Sequence, residues 1–229
     1  MSHKLILDHV DKVFGDGDLT VKVLDQVSLE VKAGEFVAVV GPSGSGKSTL
    51  LSIAGALLSP TRGRIIIDGK DISQLPEKKM NRIRLDKIGF VFQSSNLIPY
   101  LTVRDQLLLI PKLAGHDKRK AEQRAIALLE KLELTHRMDS YPQSLSGGER
   151  QRTAIARAWM NEPEIILADE PTASLDSERG RTIVKMLADE VKIREKAAVM
   201  VTHDERMLDL CDRVVMMEDG QLSEIPKKG

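Results

Sequence analysis

The most specific chemistry in this chain lies in the stretch Gly41-Pro42-Ser43-Gly44-Ser45-Gly46-Lys47-Ser48-Thr49. It fits the pattern G-x-x-x-x-G-K-[ST], in which a glycine-rich turn lets backbone amides surround phosphate oxygens. The context is the one such a turn needs. Before it, 35–40 is a short apolar run rich in β-branched residues, as in a buried parallel strand. After it, 48–58 has helical length and an apolar face. The helix dipole would favour negative charge at that N-terminus. Lys47 would reach the β- and γ-phosphates, and the Ser48 hydroxyl would bind Mg²⁺. A chance match in a Gly/Ser turn would not bring both flanks with it.

Three further strand ends carry polar residues. The run 164–170 is apolar and closes on Asp169 and Glu170. An acid there suits Mg²⁺ beside a triphosphate, and the second carboxylate can deprotonate a water; a pair of solvated charges is the plain alternative. The strand-like 88–93 ends in Gln93, either an exposed loop residue or a group facing the ligand crevice of a parallel sheet. The strand 197–202 is followed by His203, which is structural or in contact with a γ-phosphate. Phe14 closes the first strand. It packs in the core or stacks on a nucleotide base.

These groups need a scaffold, and the rest of the chain reads as one. Residues 4–40 alternate apolar and polar side chains around the turn 15–18, predicting a hairpin. From 94 to about 160 the periodicity becomes helical, with helices expected over 103–109, 118–132 and 149–160. Ser146-Gly147-Gly148-Glu149 opens the last of these as a capping box whose glycine amides form a second possible anion site. Residues 98–109 are core or a docking surface. The division expected is a single nucleotide-binding domain over 1–229, with 1–93 and 161–229 as catalytic core and β subdomain and 94–160 as a helical subdomain.

Composition narrows the class. The 229 residues hold 41% hydrophobic and 30% charged residues, an ordinary globular balance. Lys+Arg and Asp+Glu both number 34, so no polyanion-binding excess is present and no nucleic-acid partner is expected. The single cysteine fits a reducing cytoplasm. No signal peptide or membrane-length apolar run is legible; the patch 107–110 is interrupted by Pro111. Membrane contact would come only through another chain.

The order of these motifs resembles the nucleotide-binding subunit of ATP-binding-cassette (ABC) transporters over essentially the whole chain. The phosphate loop, a Q-loop at Gln93, the signature Leu145-Ser146-Gly147-Gly148-Glu149, the acids Asp169 and Glu170, a D-loop at Ser174-Leu175-Asp176 and a switch His203 fall at that family's spacing. The resemblance implies an α/β fold: a P-loop NTPase (RecA-like) core with an N-terminal antiparallel β subdomain and a helical insertion. It implies ATP and Mg²⁺, with Phe14 on adenine, the loop 41–49 on the phosphates, Ser48, Gln93 and Asp169 on the metal, Glu170 as general base and His203 at the γ-phosphate. Ser146, Gly147 and Gly148 would complete the site of a second copy in a head-to-tail dimer, with Asp176 at the seam. The partners implied are that second copy and an integral membrane permease, which would hold the chain peripherally on the cytoplasmic face of the cell membrane. Segments 89–100 and 166–172 are similar to the MacB-type exporter group, and 92–101 with 168–176 to its haem-exporting branch in particular. Alternatives within reach are a MacB-type ATPase for another cargo, a non-transporting FtsE-like regulator and an importer subunit. Glu149, where glutamine is commoner, is expected to be harmless.

Overall fold

The chain was analysed as a computed structural model, which describes residues 2–16, 19–173 and 175–225. Gly17 and Asp18 of the expected hairpin turn, Ser174 of the expected D-loop, and the tail 226–229 lie outside the described residues.

Alternating side chains from the start of the chain form β1 (His3–Asp16) and β2 (Leu19–Lys32), paired antiparallel with Val10 opposite Val27 and Phe14 opposite Val21. There follow β3 (Phe36–Val40), α1 (Lys47–Ala54), β4 (Arg62–Ile67), β5 (Lys70–Asp71), α2 (Glu77–Lys87) and β6 (Ile88–Val91). The helical stretch contains α3 (Val103–Ala114), α4 (Lys118–Lys131) and α5 (Gly147–Trp159). It returns to the sheet through β7 (Ile165–Asp169), α6 (Ser177–Ile193), β8 (Ala197–Val201), β9 (Arg213–Glu218) and β10 (Gln221–Ile225).

Two sheets result. One is four-stranded, ordered β2-β1-β4-β5; the other is six-stranded, ordered β10-β9-β3-β8-β7-β6. In the second, β9, β3, β8, β7 and β6 run parallel and β10 is an antiparallel edge. The parallel strands are apolar throughout because both faces are covered. Successive side chains point to opposite faces. Phe36 and Ala38 of β3, Ile166 of β7 and Met200 of β8 therefore join one core with α3 to α6. Val37, Val39, Leu167 and Val199 join the other, with α1 and the antiparallel sheet. At the N-terminal edge of the parallel strands Lys4 bridges Glu164 (2.7 Å) and Asp68 (3.0 Å), tying the two sheets together.

Two helices differ from expectation. The helix after the phosphate loop stops at Ala54 rather than 58, because Gly55 caps it and Ala56 takes a positive φ of 55°. The helix expected over 103–109 runs on through Pro111 to Ala114. Proline removes only one donor, while Leu107 and Ala114, two turns apart on one face, are both buried. Gly115 at φ 74° then ends it.

Phe36 is fully buried, and its amide donates to Asp212 Oδ2 at 2.9 Å. Removing its ring leaves a cavity between β3 and the helices. Phe36→Ala is expected to lower the unfolding free energy by about 3–5 kcal/mol, read from urea unfolding followed by circular dichroism.

Candidate nucleotide site

β3 is the central strand, and at its C-terminal end the chain must reverse into α1 within a few residues. Gly41 makes the first bend at φ 147°; a Cβ there would collide with the Met217 carbonyl. Gly46 makes the last at φ 104° and, having no side chain, leaves the first amides of α1 uncapped. Such amides point at whatever anion sits in the loop. Lys47 folds back over the loop, its ammonium donating to the carbonyls of Gly41 (2.9 Å) and Pro42 (2.6 Å). Ser45 is buried, and its hydroxyl has no hydrogen-bond partner among the described residues. A phosphate oxygen is the kind of group these donors fit.

The neighbouring strand ends converge on the same place. A cleft of about 480 Å³ is lined by the phosphate loop and by Gln93, Asp169, Glu170 and His203, which follow or close β6, β7 and β8. This is the carboxyl edge of a parallel sheet, where such folds bind ligands. Asp169 closes β7 and is hydrogen-bonded to Ser48. Burial pushes its carboxyl above the usual range and adjacent Glu170 adds to this, while the Ser48 hydrogen bond and Lys47 act against it. A cation beside Asp169 would relieve that cost. Ser48, Gln93 and Asp169 all line the cleft, and their oxygens are the kind of hard donors that would suit Mg²⁺.

Glu170 holds a positive φ of 47°, a strained conformation for a residue with a Cβ. Its amide donates to the Val201 carbonyl at 2.9 Å, which locks the backbone in place. Its carboxylate then meets His203, with Oε2 2.9 Å from Nδ1 and 3.4 Å from the His203 amide. Both residues line the cleft, the Glu170 side chain 14% exposed and that of His203 73%.

Other expected site residues lie elsewhere. Phe14 does not line the cleft; it is 42% exposed on β1 with the Lys12 ammonium 4.9 Å from its ring centroid. Ser146, Gly147 and Gly148 form the start of α5, with the capping box complete: Ser146 Oγ accepts the Glu149 amide and Glu149 accepts the Ser146 amide. Gly147 lines a separate depression that Gln93 also borders. Asp176 caps α6, accepting from the Arg179 amide at 3.0 Å.

The cleft also has walls the sequence did not mark. Val23 of β2 and Val201 of β8 line it, and both read only as ordinary members of alternating or buried strands. More consequential is the grip of α5 on the main chain around Gln93. Gln151 donates to the Phe92 carbonyl at 3.3 Å, and Arg157 donates to the carbonyls of Ser95 and Asn96, both at 2.9 Å. The helix that begins at Gly147 therefore holds the segment carrying Gln93.

Comparison with known proteins places the chain in one family. Residues 24–173 match the model of the ABC transporter family. The chain is 48% identical over 218 residues to a protein of Staphylococcus haemolyticus designated hemin import ATP-binding protein HrtA, covering 95% of this chain and 98% of that one. It is 46% identical over 220 residues to its Staphylococcus aureus (strain Newman) counterpart, covering 96% and 99%. Among solved structures, the dimeric ATP-binding cassette MJ0796 in a post-hydrolysis state with ADP and Pi superposes with TM-score 0.89 at 39% identity, covering 97% of this chain and 99% of that one. CbiO1 of Clostridium perfringens, part of the transporter complex cbiONQ, gives 0.87 at 28% identity, covering 97% and 88%.

Proposed function

Because this chain belongs to the ABC transporter family as an ATP-binding ATPase subunit, we propose that it powers hemin movement through a separate membrane permease. The observation carrying the nucleotide chemistry is the convergence of the phosphate loop, Asp169, Glu170 and His203 on one cleft. The observation carrying the cargo is the 46–48% identity, over nearly the full chain, to proteins designated hemin-transport subunits.

In the proposed cycle the amides of residues 41–49 and of the α1 N-terminus surround the triphosphate. Lys47 exchanges its two loop carbonyls for phosphate oxygens. Ser48, Gln93 and Asp169 would hold Mg²⁺, which would supply positive charge to offset that of the phosphates. Glu170 takes a proton from the attacking water, and His203 contacts the γ-phosphate. Phe14, with one face of its ring against Lys12, offers a surface for adenine.

Ser146, Gly147 and Gly148 have no place in their own chain's cleft, and their amides begin a helix. We assign them to the nucleotide of a second copy, with Asp176 at the seam, as the dimeric state of the MJ0796 cassette supports. The α5 grip on residues 92–96 then carries closure of this seam to the segment after Gln93, which we place against the permease. Among the described residues no helix is long and apolar enough to cross a membrane, so attachment on the cytoplasmic face would be through that permease.

The curated relatives' designation names import, whereas segments 89–100 and 166–172 are similar to exporters. The nucleotide site serves either direction, and we propose efflux. Cells lacking the chain should lose hemin tolerance, and a normal copy should restore it where Glu170→Gln does not. Unchanged tolerance on loss of the chain would sink the proposed cargo and direction while leaving the ATPase intact.

A further inference from the structure

The buried carboxylate of Glu149 has an orientation that the capping box alone does not require. One oxygen, Oε2, accepts the Ser146 amide at 2.7 Å. The other, Oε1, accepts from Arg137 Nε at 2.8 Å and lies 3.5 Å from His136 Nε2. The carboxyl is held down at about 2, chiefly by the Ser146 amide and, against the cost of burial, by Arg137. It is charged whenever the protein is folded near neutrality.

Arg137 belongs to a one-turn segment, Thr135–Arg137, that is itself immobilised from three sides. The Arg137 amide donates to the carbonyl of buried Leu134, and its carbonyl accepts from Ser140. The following residues accept from the start of α3: Met138 O from the Arg104 amide and Ser140 O from the Val103 amide. A side chain on this anchored turn therefore fixes a carboxylate, which fixes the amide of Ser146 and with it the first turn of α5. The capping box alone would satisfy the helix end; the guanidinium adds a direction.

We propose that Arg137 is a positioning residue: acting through Glu149, it sets the orientation in which Ser146, Gly147 and Gly148 close on the nucleotide of a second copy of this chain. This rests on the assignment of those residues to the second copy's site. Arg137 takes no part in binding nucleotide to its own cleft, since neither it nor Glu149 lines that cleft. Glutamine at position 149 could accept from Ser146 but would not pair as a charge with Arg137.

The test uses the full chain carrying Glu170→Gln, so that bound ATP persists, with ADP affinity measured by calorimetry and ATP-driven dimerisation by sedimentation. Arg137→Met is expected to weaken dimerisation about tenfold, a coupling typical of contacting charged groups, with ADP affinity unchanged. Arg137→Lys should recover part of the loss, and Glu149→Gln combined with Arg137→Met should be no worse than Arg137→Met alone. Ser146→Arg, which puts a bulky cation at the seam, is the control. If Arg137→Met dimerises normally while Ser146→Arg does not, the inference is wrong. The same holds if Arg137→Met loses ADP binding in equal measure, since the defect is then general. If Ser146→Arg also dimerises normally, the assignment of the signature to the second copy falls first.

Discussion

Glu170→Gln will bind ATP as the normal chain does and hydrolyse it about 10³-fold more slowly, the contribution expected of a well-placed general base. Three features of the site lead there. Among the described residues, Glu170 and Asp169 supply the carboxylates that line the cleft, and Asp169 is engaged by Ser48. The Glu170 backbone is held at a positive φ by the Val201 carbonyl, a strain that persists because the strand end over-determines it. Glutamine keeps the shape and the contact with the His203 amide, so binding and fold are preserved and only basicity is lost. Single-turnover hydrolysis beside equilibrium ATP binding separates the two effects. A variant that hydrolyses ATP at the normal rate would remove Glu170 from the chemistry.

Lys47→Ala is expected to act a step earlier. The ammonium sits on the Gly41 and Pro42 carbonyls at 2.9 and 2.6 Å, where phosphate oxygens would replace them. Hydrogen bonds to charged groups contribute about 1.5–3 kcal/mol each, so ATP affinity should fall by about 10²-fold. The loop carbonyls are exposed enough to find water instead, and the melting temperature without nucleotide should stay close to that of the normal chain. Calorimetric titration with ATP and a thermal melt check both halves. Loss of affinity with an equal loss of stability would mean that Lys47 supports the loop rather than the ligand.

How much of this was legible in the sequence depended on whether a feature is local. The loop 41–49, the capping box at Ser146 and the acids closing β7 each fit within a few residues, where spacing alone determines geometry. The alternation of Phe36, Val37, Ala38 and Val39 between two cores follows from strand periodicity and from burial on both faces. What escaped was contact across distance. Gln151 and Arg157 reach the main chain at 92–96 from some sixty residues away, and nothing in their local pattern marks them. Arg137 lies twelve residues before Glu149 in a turn with no motif. Val23 reads as one of several valines on β2. Pro111 misled because its local cost was outweighed by the burial of Leu107 and Ala114 on either side of it. Phe14 sits on the strand foreseen for it, but half exposed and outside the cleft walls, so neither core packing nor a place in the cleft was legible from its position.

The proposed cycle needs two copies at each site, with the phosphates against one and the Ser146-Gly147-Gly148 amides supplied by the other. Sedimentation of Glu170→Gln with ATP and Mg²⁺, and then with ADP, tests this most directly. The expected result is a shift from the mass of one chain to that of two with ATP, abolished by ADP. A protein that binds ATP tightly yet keeps the mass of a single chain at every concentration would contradict it.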